Sequence, residues 1–494
     1  MDQQAEMKRR VAGTVKWNAI DKLLSMALYT VTGIVLAREV PKDDFGLLGA
    51  VMVFAAFAAL FVDSGFSSAL IQKKRVSRLD YSSVFWLNMA VATAIYIILY
   101  FCAPLIARIF QNDLRIIPVA RVALLAFVIN ATAIVQTNRL MKRMQVKMIT
   151  VSNALGLIIS SVAAIWMAVE GMGVWALVWQ TLILSSVKSI ILWATGRWTP
   201  LFRISLRSLK GFFKVGSGMM GGAFLNILFK NIYAFIIGMR AGVLPLSYYT
   251  QADKWSNMGI SSLTAIFTQS FLPALSQFQD DPRRFAASTA KMNRFTSYLL
   301  FPCCGLAITV TTALFHLCFG PKWDAAIYLF QLLMLRGIFT VLSSLYNNYI
   351  LALGRSRLIV ITELLRDSAA LIAIAITWPF IALETAEDPT FGIAILLWGQ
   401  IGASLLTWGV TLVVASRLSG RNAWQFASDS LPYAATALIS VTLASMLTWL
   451  TGSPLLLTVG QLLIGGAIYM GLNKIAGSRI QSEVIGHFRS RFIR

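Results

Sequence analysis

Fourteen apolar runs dominate the chain, near 18–37, 45–71, 82–107, 116–137, 148–169, 172–195, 212–239, 244–274, 293–318, 325–353, 358–380, 391–416, 427–450 and 455–473. A run of roughly 20 apolar residues is long enough to cross about 30 Å of hydrocarbon as an α-helix. Strands do not fit, because a membrane-barrel strand is about ten residues long and alternates in polarity. The expected fold class is all-α, a polytopic membrane protein with fourteen transmembrane helices. Composition agrees: charged residues are 13% of the 494, and hydrophobic residues 57%, against roughly 25% charged in soluble proteins. A soluble chain of this length would form about three domains, and the charges are too few to cover their surfaces. An ordinary multidomain cytosolic enzyme, a disordered chain and a secreted disulfide scaffold are excluded.

So apolar a chain still carries a net charge of +22. Lys and Arg accumulate in the cytoplasmic loops of membrane proteins. The N-terminus, every second connection and the C-terminal tail together hold thirty of the 43 basic residues, the opposite connections hold six, and seven lie inside helices. Both termini are therefore expected on the cytoplasmic side. Charge dispersed over short segments also excludes a nucleic-acid surface, which gathers it on one face. The first apolar run is too long for a cleavable signal and reads as a spanning helix. Cys102, Cys303, Cys304 and Cys318 lack metal-ligand spacing, with one another or with His316 and His487, and read as packing residues.

Three landmarks recur in order. Ile34–Arg38, followed by Phe45 and Gly46, resembles Ile236–Arg240, followed by Tyr248 and Tyr249, with Arg38 and Arg240 202 positions apart. Asn138 with Lys147 behind it resembles Asn348 with Arg357, 210 apart, and Gly173–Trp179 resembles Gly392–Trp398, 219 apart. Small loop insertions produce such a drift. Two six-helix lobes, 1–200 and 201–425, are expected as a parallel repeat about an axis along the membrane normal. Residues 426–494 add two further helices and a basic tail.

The N-terminal motifs carry a family resemblance. Gly13-x-x-x-Trp17, Leu36-Ala-Arg38, Pro41, Phe45-Gly-Leu47, Asp63-Ser-Gly65, Ala69-Leu-Ile-Gln72-Lys73 and Val84-Phe-Trp86-Leu-Asn88 together resemble bacterial polysaccharide exporters. The similarity is to the Wzx-type flippases, in the colanic-acid or lipopolysaccharide exporter branch of the multidrug/oligosaccharidyl-lipid/polysaccharide superfamily. The resemblance implies movement of an undecaprenyl-pyrophosphate-linked oligosaccharide between leaflets of the bacterial cytoplasmic membrane. It also implies neighbours that make and polymerise the glycan, namely glycosyltransferases and a polymerase.

The residues themselves point to function where a bilayer disfavours them, since an ionised side chain deep in a helix is costly unless paired or hydrated. Lys188, Lys230, Arg336 and Arg366 lie deepest. With Lys22, nearer an end, they are the candidate substrate-binding cations, suited to pyrophosphate and acidic sugars. Asp63, Asp253, Glu363 and Asp367 are the candidate ion-coupling carboxylates, for H+ or Na+. Internal salt bridges are the rival explanation, at Asp253 with Lys254 and at Glu363, Arg366 and Asp367, which share one helix face. No Gly-x-x-x-x-Gly-Lys-[Ser/Thr] occurs, so no P-loop is expected, and no cofactor or metal. Two competing functions stay open. One is a multidrug exporter or peptidoglycan-precursor flippase. The other is a multi-pass glycosyltransferase or polymerase using the acids of the 383–390 loop, although the expectation is a transporter and not an enzyme.

Overall fold

The computed structural model describes the backbone of residues 2–63, 66–385, 388–449 and 452–492, and their side chains apart from 2–12, 15, 63, 66, 68, 214–220 and 487–492. Helices α1 (Asp2–Glu39), α2 (Lys42–Asp63), α3 (Phe66–Gln72), α4 (Arg78–Ile109), α5 (Ile116–Ala123), α6 (Leu125–Lys142), α7 (Val146–Val169), α8 (Val174–Gly196) and α9 (Leu206–Ala241) belong to one compact unit, Met1–Ser247. Helix α10 (Val243–Ser276) runs from its end into a second unit, Tyr248–Arg494. That unit holds α11 (Pro282–Cys318), α12 (Asp324–Ala352), α13 (Ser356–Thr377), α14 (Phe391–Leu418), α15 (Ala423–Ser445), α16 (Pro454–Ile475) and α17 (Arg479–Phe492). No strand occurs among the described residues. A helix satisfies its own backbone hydrogen bonds, which hydrocarbon cannot do for it.

Among the described residues, thirteen helical segments are long and apolar enough to cross a membrane. The run at 358–380 forms α13 but falls outside that set, since its 22 residues carry Arg357, Glu363, Arg366 and Asp367. The run at 116–137 is two helices, α5 and α6, meeting at Leu124. Large apolar side chains such as Phe101, Ile190, Leu438 and Leu463 are 66–74% exposed, an outer surface made for lipid.

Polar residues close the helix ends. Ser77 and Asp80 form a capping box on α4, Asn422 and Gln425 another on α15, and Asp281 caps α11 ahead of Pro282. Within the first unit, α8 packs against α6 and α7, α1 lies on α7, and α9 packs on α2, α3 and α4. Gly46 is required there by a close approach, because a Cβ would collide with the Val243 carbonyl. In the second unit α14 packs against both α12 and α13, while α11 contacts α12, α15 and α16. Gly392 lets α14 pass the backbone of Phe380 and Ile381.

The two terminal spans are tied into the second unit by buried polar bonds. Asn293 donates to the Phe426 carbonyl at 3.0 Å and to Ser430 at 3.1 Å, and Tyr469 donates to the Tyr298 carbonyl at 2.8 Å. Asp429 takes Arg421 at 2.7 Å and Arg294 at 3.3 Å. One bond recurs in both units: Asn138 on α6 donates to Ser67 on α3 at 2.6 Å, and Asn348 on α12 donates to Thr268 on α10 at 3.3 Å.

Candidate functional site

Each unit holds a partly open cavity among its spanning helices, with polar groups set in a largely apolar lining. In the first unit a cavity of about 500 Å³ lies between α1, α2, α5, α6, α7 and α8. Thr181, Ser185 and Lys188 project into it from successive turns of α8, and Asn130 and Asn153 from α6 and α7. Spacings of three and four residues put such side chains on one helix face. Small side chains, Ala55, Ala59, Ala123 and Ala126, leave the space open.

Polar groups in this cavity are bonded in part. Asn130 donates to Ser185 at 3.0 Å, and Ser185 donates to the Thr181 carbonyl at 2.8 Å. Asn153 donates to Asp21 of α1 at 3.3 Å. Lys188 is half-buried and feels the Asp21 carboxylate electrostatically, yet among the described residues it makes no hydrogen bond or ion pair.

The second unit has a smaller cavity, about 250 Å³, between α10, α12, α13 and α14. Its wall is a stripe of hydroxyls and an amide, with Thr340, Ser343, Ser344 and Asn347 on α12 and Ser404 and Thr407 on α14. Glu363 and Arg366 enter from α13. Arg366 binds Glu363 at 2.7 Å and Asp367 at 2.9 Å, so one guanidinium serves two carboxylates. These three charges sum to a single negative, and Arg357 at the start of α13 brings the helix to neutrality.

The remaining candidates scatter. Lys22 is exposed on α1 and Lys230 exposed on α9. Arg336 is half-buried on α12, one turn before the cavity residue Thr340, and its Nε is buried without an acceptor. Asp253 is half-buried on α10, while its neighbour Lys254 lies 5.2 Å over the Trp255 ring and makes no ion pair with it. The side chain of Asp63 lies outside the described residues. Of the loop acids, Glu387 is likewise outside them, and Asp388 accepts from the Thr390 amide at 2.7 Å and hydroxyl at 2.6 Å, closing the turn into α14.

Sequence reasoning from charge found Lys188, Glu363 and Arg366 in the cavities but missed their uncharged walls. The signal was present. Thr181-Ser185-Lys188 and Thr340-Ser343-Ser344-Asn347 are polar stripes at helical spacing within apolar runs. The two walls also match in register. Asn130 and Thr340 are 210 positions apart, as are Asn153 and Glu363, while Ser185 and Ser404, and Lys188 and Thr407, are 219 apart.

Known proteins share the sequence and the fold. The profile of a family described as "Polysaccharide biosynthesis protein" matches residues 35–328. The teichuronic acid biosynthesis protein TuaB of Bacillus subtilis (strain 168) is 25% identical over 441 residues, 88% of each chain. The lipopolysaccharide biosynthesis protein WzxC of Escherichia coli (strain K12) is 24% identical over 357 residues, 71% of each. The solved structure of the lipid II flippase MurJ in an inward closed conformation superposes with a TM-score of 0.70 at 15% identity, covering 96% of this chain and 99% of that one.

Proposed function

The chain belongs to the polysaccharide biosynthesis protein family, and on that premise we propose that it is a flippase for lipid-linked oligosaccharide. It moves undecaprenyl-pyrophosphate-linked units across the bacterial cytoplasmic membrane, by alternating access, for surface polysaccharide synthesis. The observation that carries the reading is where the polar residues lie. A chain of this family with thirteen candidate spans places amine, guanidinium, amide and hydroxyl groups in cavities among those helices, as handling a polar cargo inside a bilayer requires.

In this reading both termini are cytoplasmic, which the distribution of Lys and Arg supports. The two units descend from one six-helix ancestor, supported by the shared Asn-to-hydroxyl bond and by cavity walls in matching register. Lys188, Lys230, Arg336, Arg366 and Lys22 attract the cargo's anionic groups. An H+ or Na+ gradient supplies the driving force through Asp63, Asp253, Glu363 and Asp367, and a polymerase and glycosyltransferases act beside it. The chain is a transporter and carries out no covalent step.

The test is deletion of the gene, with analysis of which lipid-linked oligosaccharide accumulates on the cytoplasmic face. Wild-type protein restores surface polysaccharide. A Lys230→Ala, Arg336→Ala, Arg366→Ala triple variant, present in the membrane at normal level, restores less. Full restoration by the triple variant removes Lys230, Arg336 and Arg366 from the cargo's path, and no accumulation on deletion removes the flippase reading.

A further inference from the structure

We propose that the cavity of the first unit is an oxyanion pocket, with Lys188 as the group that binds an acidic substituent of the transported glycolipid. This rests on the flippase reading above and assigns to one cavity a recognition step that the sequence spread over five cations.

The geometry separates Lys188 from the other deep cations. Arg366 is held by two carboxylates, and a guanidinium so engaged has little attraction left for a third anion. Lys230 is exposed, and Arg336 lies outside both cavity walls. Lys188 alone is a cation in a cavity wall with no bonded partner among the described residues. An ammonium withdrawn from bulk water needs a compensating anion, and Asp21 supplies field without contact while its own oxygen accepts from Asn153.

The surroundings define the body that carries the anion. Asn130 gives one amide N–H to Ser185, which leaves its second N–H as a donor and its carbonyl oxygen as an acceptor. Ser25 and Tyr29 offer hydroxyls at the wall, Thr181 an acceptor oxygen, and the alanine floor keeps about 500 Å³ open, within the roughly 300–1,000 Å³ of small-molecule sites. Hydroxyl and amide groups around one cation fit a hydroxylated ring bearing an oxyanion. That oxyanion is either a sugar carboxylate or the pyrophosphate next to the first sugar. The matching cavity of the second unit is half the volume and has its charge already paired.

The experiment titrates full-length protein in lipid nanodiscs, at low ionic strength, with glucuronate, glucose and inorganic pyrophosphate. We expect an anion to bind and glucose to bind at least about tenfold more weakly. Glucuronate binding assigns the sugar carboxylate, and pyrophosphate binding alone assigns the lipid phosphate. Lys188→Met loses about tenfold or more of the anion affinity, and Lys188→Arg retains most of it. Ala126→Phe, which fills the floor and keeps the charge, also abolishes binding and serves where Lys188→Met is poorly folded. Equal binding of glucose and glucuronate, no binding of either anion, or unchanged affinity in both Lys188→Met and Ala126→Phe overturns the proposal. Export is measured separately in the deletion strain. Normal export by Lys188→Met overturns the pocket and leaves the flippase reading standing, whereas export that does not depend on the protein overturns the latter.

Discussion

The two cavities occupy matching registers of their units and differ in how they treat charge. The first holds a lone ammonium, Lys188, among amides and hydroxyls. The second holds a guanidinium clamped by Glu363 and Asp367 amid hydroxyls and the Asn347 amide. Lys188 on α8 lines the first cavity and Thr407 on α14, 219 positions on, the second; the neutral Asn153 on α7 lines the first and Glu363 on α13, 210 positions on, the second. Outside the cavities both units hold paired charge: Asp429 of the second takes Arg421 and Arg294, and Asp80 of the first takes Lys73. A paired charge stabilises the packed unit and is unavailable to cargo, whereas an unpaired one is a standing cost that a ligand offsets. The difference teaches that two cavities in similar register are set apart by which of their charges are already satisfied.

The strongest test of this contrast is Asp429→Ala. Arg421 and Asp429 are 13% and 14% exposed, and removing one partner of a buried pair costs about 3–5 kcal/mol. Thermal unfolding in detergent should show a marked drop, and an unchanged midpoint would mean the cluster is not a stabilising pair.

The next test sets the cavities against each other. Arg366→Ala should cost about 1–2 kcal/mol, below that range because Arg366 and Glu363 are 41% and 38% exposed and only Asp367 is largely covered. Lys188→Met should cost nothing in stability or raise it, because no bonded partner is stranded, while surface polysaccharide falls. Equal losses from both substitutions in an unfolding assay would erase the distinction.

A smaller effect tests the common ancestry. Asn138→Ala and Asn348→Ala should each destabilise by about 0.5–1 kcal/mol, with the larger loss at Asn138, whose bond is shorter. A loss at only one position, measured by the same unfolding assay, would show that the bond has different weight in the two units.

The smallest expected effect lies at the loop before α5. Hydrogen bonds from Arg115 hold the Asp113 carboxyl below its ordinary range against the opposing effect of burial. A depressed folded-state value stabilises above the unfolded value near 3.9 and is lost as pH falls through the folded one. Because Arg115 is 56% exposed, the contribution is a few tenths of a kcal/mol. Asp113→Asn should therefore lower stability slightly and equally at pH 5 and pH 8, with the difference from wild type vanishing only in strong acid.

The helices were legible because apolar length is a property of sequence alone. Even α13 was found from its run, although four charged residues thin it. The division of the fourth run was not legible. Leu124 has helical backbone angles and an ordinary apolar side chain, so no residue type marks the break. The charged members of the cavities stood out as anomalies against hydrocarbon. Their neighbours did not, because a Ser or Thr in a membrane helix commonly bonds the preceding turn, as Thr181 does with the Leu177 carbonyl at 3.0 Å, and so reads as inert. Whether an acid is paired was open as well: Glu363 and Arg366 met on their own helix face, and Asp253 and Lys254 did not.

The charges of α13 have a consequence for how the protein is made. Each Asp, Glu or Arg near the middle of a segment adds about 2.5–3.5 kcal/mol to the free energy of entering a bilayer from the translocon. Pairing along one face, Glu363 to Arg366 to Asp367, relieves part of that penalty before any neighbour arrives. The remainder is met by the adjoining hairpin arm, since α14 packs along α13 and is strongly apolar. Helix α13 is thus expected to insert together with the chain that follows it, and a ribosome halted before residue 391 should leave it outside the lipid.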